Sequence, residues 1–335
     1  MRLKFVQKII DKIRGRNCTK CIFHKKYGRI YLPFYHYKHK LEAVEHDIYN
    51  SDGQKMRTFF IRDIHFAHNQ RMESKYFIWD RYNIGLNTHF YTHNSMLQTM
   101  GNPARKYGVL IESETIVPED YNIFKKHKGL EKDFDLIFTY SDRILQTVDN
   151  ARLVPLNAFN FAKEFDDTLY LRKSKNISML SSNKAMCDMH KFRINLAYQC
   201  KNSGLVDTFG TFDGGARVPD DAEVFKDYRY AVCVENDITP YYFTERLMLL
   251  FALQTVPVYL GATKIDKFFN PDGIIQINKN SDIEKVLKMC TKEEYERRLP
   301  AISENYEKSK KYANPFDYMA EKYLSDICYV NGNVK

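Results

Sequence analysis

The segment from Tyr230 to Gly261 reads YAVCVENDITPYYFTERLMLLFALQTVPVYLG, and its polar middle joins a buried apolar run to a helix start. Thr244 and Glu245 fall in the first turn of a helix expected over Phe243 to Gln254. A carboxylate there is favoured by the helix dipole, so Glu245 is explained by capping alone. Arg246 is not. A cation gains nothing electrostatically from a helix N-terminus, but together with the free N–H groups it makes a site for phosphate oxygens. Further upstream, Glu112 and Glu114 follow the apolar run Tyr107 to Ile111 on what reads as an extended stretch, and one of the two is expected to face open space.

The elements that must hold these residues alternate. Tyr107 to Ile111 (YGVLI) and Leu136 to Tyr140 (LIFTY) read as short buried strands. Ile177 to Leu180 is strand-like and runs into Ser181-Ser-Asn183, and a helix is expected over about Met189 to Lys201. Val206-Asp207, a strand over Tyr230 to Val234, the helix at Thr244 and a strand over Val256 to Leu260 closed by Gly261 complete the series. Strand, helix, strand in this order predicts a parallel sheet covered by helices, with ligands beyond the carboxyl ends of the strands. The loop Glu235 to Tyr242 lies there. From Ser281 onward the chain reads as charged helices broken at Pro300 and Pro315, with solvated faces.

At 335 residues the chain predicts about two domains, and no apolar run is long enough for a membrane span. No apolar run followed by a small-residue cleavage site stands at the start, which predicts a cytoplasmic protein. Seven scattered cysteines read as reduced thiols; Cys18 and Cys21 form a lone CxxC near His24 without the second half of a zinc site. The net charge of +9 calls for an anionic partner. Between Met1 and Arg16 the residues Leu3, Val6, Ile9, Ile10 and Ile13 recur at helical spacing among Arg2, Lys4, Lys8, Lys12 and Arg14. That pattern fits either a docked terminal helix or attachment to an anionic membrane surface, peripheral on its inner face. Nucleic acid is not expected, because no binding motif accompanies the charge.

In its C-terminal half the sequence resembles the family-ten fucosyltransferases. They carry an FENS-like loop and a Tyr-x-Thr-Glu-Lys helix start before an apolar strand ending in Gly; here these are VEND, Tyr242-Phe-Thr-Glu245-Arg246 and VPVYLG. Asp237 stands for the family's serine, Val234 for its phenylalanine and Arg246 for its lysine. Counting back without gaps from Val206-Asp207-Thr-Phe-Gly210, similar to the family's Val-Asp-x-x-Gly, the family's helix arginine falls on Arg193. Glu114-Thr-Ile-Val-Pro118 resembles its Glu-x-x-x-Pro, which places the family's catalytic glutamate at Glu114.

The resemblance spans roughly Tyr107 to Ile277 and implies an α/β, GT-B-like protein with two Rossmann-type parallel-sheet domains facing across a cleft. Residues 1–165 would bind the acceptor and residues 166–335 the nucleotide sugar. It implies an inverting transfer of fucose from GDP-fucose to a glycan hydroxyl, such as one of a surface polysaccharide or lipopolysaccharide. Glu114 would be the base, Arg193 and Arg246 would hold the diphosphate, and Glu245, Tyr242 and Asn236 would hold the nucleotide. No metal is expected: Asp133-Phe-Asp135 has D-x-D spacing but precedes a strand like an ordinary turn, and two cations on the diphosphate make a metal unnecessary. An exostosin-like or other GT-B transferase using a UDP-sugar, and a non-catalytic carbohydrate-binding protein, are the alternatives. The many aromatics read as mostly core, with Trp79-Asp-Arg-Tyr82 and Phe90-Tyr-Thr-His93 as places where exposed rings could stack on sugars.

Overall fold

The computed structural model describes residues 22–24, 28–30, 49, 53, 55–63, 74–81, 83–159, 162 and 165–328. The helix expected over residues 1–16 and the side chains of Cys18, Cys21 and His24 lie outside the described residues. Two compact units divide the chain. The first gathers the described residues up to Glu112, Val117–Val154 and the residues from Met319; the second comprises Ser113–Ile116 and Pro155–Tyr318.

The first unit is built on six parallel strands: β1 (Arg57–Arg62), β2 (Phe77–Asp80), β3 (Thr88–Thr92), β4 (Arg105–Leu110), β5 (Leu136–Thr139) and β6 (Ala151–Leu153), in the order β2-β1-β3-β4-β5-β6. Phe59–Ile61, Phe77–Trp79, Phe90–Tyr91, Tyr107–Leu110 and Ile137–Phe138 supply buried stretches of these strands, as a covered parallel sheet requires. That burial corrects the reading of the aromatics: Trp79, Phe90 and Tyr91 are buried, and Phe90 packs between Phe59, Trp79 and Tyr107. They are core residues and stack on no sugar; Tyr82 is outside the described residues. The tail belongs to this unit because the Tyr323 ring packs on Phe138 and its hydroxyl donates to the Leu153 carbonyl at 3.1 Å.

The second unit carries five parallel strands, β7 (Lys175–Leu180), β8 (Asp207–Phe209), β9 (Tyr228–Val234), β10 (Val256–Leu260) and β11 (Ile275–Gln276), in the order β8-β7-β9-β10-β11. Helix α1 (Asp188–Ser203) connects β7 to β8, and α2 (Glu245–Ala252) connects β9 to β10. Each unit is thus built on a parallel sheet; the alternation predicts the second, and the resemblance implies both. The buried residues of α1 are Met189, His190, Arg193, Leu196, Ala197 and Cys200. Their spacing is that of one helical stripe, and the apolar members pack with Ile177, Met179 and Val232 of the sheet. Two charge-capable side chains therefore ride on the core face of α1. Helix α2 is shorter than its apolar pattern suggests, since Thr244 is its N-cap and Leu253 its C-cap. Pro300 lies in the first turn of α3 (Leu299–Lys311), where a missing N–H costs nothing, so here proline starts a helix as well as breaking the one before.

Candidate active site

Parallel pairing sends the carboxyl ends of β7, β8, β9 and β10 to one edge of the second sheet, and the loops that follow them gather there. Close approach between these loops needs glycine twice. Gly210 has φ +98, and a Cβ on it would stand 2.3 Å from the Ser181 carbonyl oxygen. A Cβ on Gly261 would stand 2.5 Å from Cγ of Glu235 and 2.3 Å from the Tyr259 hydroxyl, so Gly261 makes room for the Glu235 side chain.

Glu235 fixes the start of α2. Its carboxylate accepts the Thr244 N–H at 2.9 Å and the Thr244 hydroxyl at 2.8 Å. Thr244 Oγ1 in turn accepts the Arg246 N–H at 3.3 Å, the N-cap bond of the helix. Glu245 and Arg246 are thereby held half-buried at the sheet edge. Burial pushes the Glu235 carboxyl up to about 7, with the nearby charge of Glu245 adding and the Thr244 bonds and Arg246 opposing.

Arg193 is a buried arginine of the helix core face, not a surface one, with 3% exposure. Its Nη1 donates to the Val234 carbonyl at 3.4 Å, and its Nε has no hydrogen-bond partner. Burial, and then the like charge of Arg246, hold its guanidinium down to about 10. His190 stands one turn before Arg193 on the same stripe. Burial first, and then Arg193, Arg246 and Lys184, hold its imidazole down to about 4, so it is neutral near pH 7.

Buried polar atoms without a hydrogen-bond partner are uncommon and cost about 1–3 kcal/mol each. Ser182 Oγ, His190 Nδ1, Arg193 Nε, Asn236 Oδ1 and Thr239 Oγ1 are five such atoms, all in α1 or in the loops after β7 and β9. Of these, Asn236 Oδ1 accepts and calls for a donor, whereas His190 Nδ1 and Arg193 Nε lie among the charges of Lys184, Arg193 and Arg246 and describe a place shaped for an anion. Beside it, Glu245 and Arg246 line a cavity of about 360 Å³ with Leu180, Asp220, Asp221 and Phe225, a size suited to a small organic ligand.

The sequence-selected residues distribute as follows. Arg193, Asn236, Glu245 and Arg246 come to this one edge; Tyr242 is buried in the loop just before Thr244. Glu114 belongs to the second unit, in Ser113–Ile116. This segment is a turn closed by the Ile116 N–H on the Ser113 carbonyl at 3.0 Å, so the expected extended stretch, on which residues two apart would have shared a face, does not form. The two are separated instead by their surroundings. The Thr115 N–H donates to Asp237 Oδ2 at 3.3 Å, which ties the Glu114 turn to the VEND loop. Asp237 is buried, and burial and then Glu114 push its carboxyl up, against the bonds from Thr115 and Ile238. Glu112 stays with the first unit, where its N–H donates to His93 Nε2 at 3.1 Å and its carbonyl accepts the Tyr121 hydroxyl at 2.6 Å.

Asp135 accepts the Lys106 N–H at 2.7 Å and Asp133 ends a 3-10 turn, which is the local role expected of the D-x-D pair. Among the described residues no group of three His, Cys, Asp or Glu side chains is arranged to hold a metal. Sequence reasoning missed His190, Lys184 and the part played by Glu235. For His190 the signal was present, since three residues before Arg193 is one helical face.

Residues 170–323 match the family model described as glycosyltransferase family 10 (fucosyltransferase), C-terminal. Among solved structures, an α1,3-fucosyltransferase with GDP is 17% identical over 84% of this chain and 94% of that one, with a TM-score of 0.48. An α1,3-fucosyltransferase with GDP-fucose is 15% identical over 88% of this chain and 96% of that one, at 0.46. Anabaena Alr3699/HepE in complex with UDP-glucose is 9% identical over 81% of this chain and all (100%) of that one, also at 0.46.

Proposed function

We propose, from the membership of residues 170–323 in the C-terminal domain of glycosyltransferase family 10, that this glycosyltransferase moves fucose from GDP-fucose to a glycan hydroxyl with inversion at the sugar carbon. The observation that carries the reading is the anion pocket: buried Arg193, with an unpartnered Nε, beside Arg246 at the carboxyl edge of a parallel sheet. Two neighbouring cations, one of them with an unpartnered Nε, suit a diphosphate, and Arg246 in place of the resemblance's lysine keeps the charge and adds a fork matched to phosphate.

The roles follow from chemistry. Glu114 takes the proton of the acceptor hydroxyl as its oxygen bonds to the sugar carbon and the bond from that carbon to the phosphate oxygen breaks. GDP departs with the bonding pair, and Arg193 and Arg246 stabilise the charge that builds on its diphosphate. Glu245 accepts from the ribose hydroxyls, with Asn236 and Tyr242 beside the nucleotide. Asp220 and Asp221 at the cavity rim favour guanine, whose ring N–H and amino group form a donor pair that uracil lacks. The second unit is then the donor domain and the first the acceptor domain. A cytoplasmic location, with residues 1–16 resting on an anionic membrane surface, belongs to the same proposal and is supported by the basic, apolar-striped spacing of that segment.

A panel of nucleotide sugars read by thermal shift and by donor hydrolysis tests it. The donor should stabilise the protein by roughly 2.7 kcal/mol at a hundredfold excess over Kd, and GDP-fucose should exceed UDP-, CMP- and TDP-sugars. A UDP-sugar preference would overturn the fucose donor and leave sugar transfer standing; no effect from any nucleotide sugar would overturn both.

A further inference from the structure

The diphosphate reading uses Arg193 and Arg246 and leaves His190 unexplained. His190 is 6% exposed, its Nδ1 has no hydrogen-bond partner, and the charged groups that face it are Lys184 from the loop after β7, Arg193 from its own helix and Arg246 from α2. An imidazole on a buried stripe among aliphatic positions is ordinarily satisfied by a carbonyl or a carboxylate. Here the surrounding charged groups are all cations, and none of them offers an acceptor. His190 is also the third residue of a 16-residue helix, in the turn where backbone N–H groups are without intrahelical partners. Arg193 Nε, one turn on, is unpartnered in the same way. One anion placed at the start of α1 would satisfy both side chains.

We propose that His190 is a third ligand of the donor's diphosphate, donating a hydrogen bond to a phosphate oxygen beside Arg193 and Arg246. This rests on the nucleoside-diphosphate reading above and adds a residue that the resemblance does not supply. It has a consequence for protons. Without ligand the three cations and burial keep the ring neutral, and the buried acid of this edge, Glu235, accepts from Thr244. A bound diphosphate reverses the sign of the local field and favours the imidazolium. Donor binding therefore takes up a proton near pH 6, and departure of the diphosphate releases it.

The test is calorimetric titration of GDP-fucose into the full chain near pH 6 in two buffers of different ionisation enthalpy, with wild type, His190→Gln and His190→Asn. Both phosphates of GDP-fucose are esterified and stay ionised near neutrality, so the uptake reports on the protein. Wild type should take up part of a proton. His190→Gln should take up less and bind about tenfold more weakly, the scale of one charge-assisted hydrogen bond, while guanosine affinity is unchanged. His190→Asn supplies the same comparison if the glutamine does not fold. Proton uptake and affinity unchanged in a folded variant would overturn this inference alone, as would an equal loss for guanosine. A wild-type protein that binds no nucleoside diphosphate overturns the underlying reading.

Discussion

At the scale of single residues, the chemistry turns on which carboxylate meets the acceptor and which cations meet the leaving group. Glu114 sits in a turn tied to Asp237 in the second unit, whereas Glu112 is held by His93 and Tyr121 in the first. Glu114→Gln should lower kcat by ~10²–10⁴ with GDP affinity kept, and Glu112→Gln should be milder. Steady-state kinetics on both variants decide it; the reverse order would move the base to Glu112. Arg193→Ala and Arg246→Ala should each lower kcat by ~10²–10³, as for loss of a transition-state donor, with the activity read in the presence of EDTA. Loss of wild-type activity to chelator, restored by manganese, would contradict the two-cation account. Glu245 and Arg246 stand out in the sequence because a helix start constrains residue types, whereas Arg193 and Glu114 come from the resemblance alone. The helical spacing puts His190 on the face of Arg193, but the cations that surround it, and the Thr115 N–H that Asp237 accepts, come from other loops and have no sequence period.

At the scale of elements, the start of α2 depends on one buried acid. The folded-state value of Glu235, about 7, lies above the ordinary 4.5, so the folded protein holds this proton more tightly than the unfolded chain. Its contribution is therefore most favourable at low pH and is lost as pH rises from about 4.5 to about 7. Glu235→Gln keeps an acceptor for the Thr244 N–H and removes the titration. Between about pH 4.5 and about pH 7.5 the unfolding free energy of the variant should shift in its favour, relative to wild type, by about 3 kcal/mol. Denaturant unfolding of both proteins at the two pH values measures this, and a constant difference would show that Glu235 does not carry the shift. The strands and helices of this region were readable because Tyr230–Val234 and Val256–Leu260 are apolar runs closed by polar or glycine signals. The ends of α2 were not: Phe243 and Leu253 extend its apolar pattern, but Thr244 takes the first helical bonds as N-cap and the chain leaves the helix at Leu253.

At the scale of the whole molecule, one parallel sheet follows from the alternation of elements and a second from the resemblance, and the structure shows both. Strand order does not follow from the alternation. β1, β2 and β3 carry RTFFIR, FIWD and THFYT, aromatic runs that could equally be core helix or exposed binding surface until their pairing and burial in the sheet are seen. The return of the tail to the first unit rests on Tyr323 against Phe138, a contact between positions far apart in the chain. Function enters this frame at one edge of one sheet, and the central claim is that this edge grips a diphosphate. Calorimetric comparison of GDP, GMP and guanosine on the wild-type protein tests that most directly. The account predicts that GDP binds at least ~10²-fold more tightly than guanosine, with GMP between, because each phosphate meets cations that otherwise repel one another. Equal affinity for GDP and guanosine would contradict it.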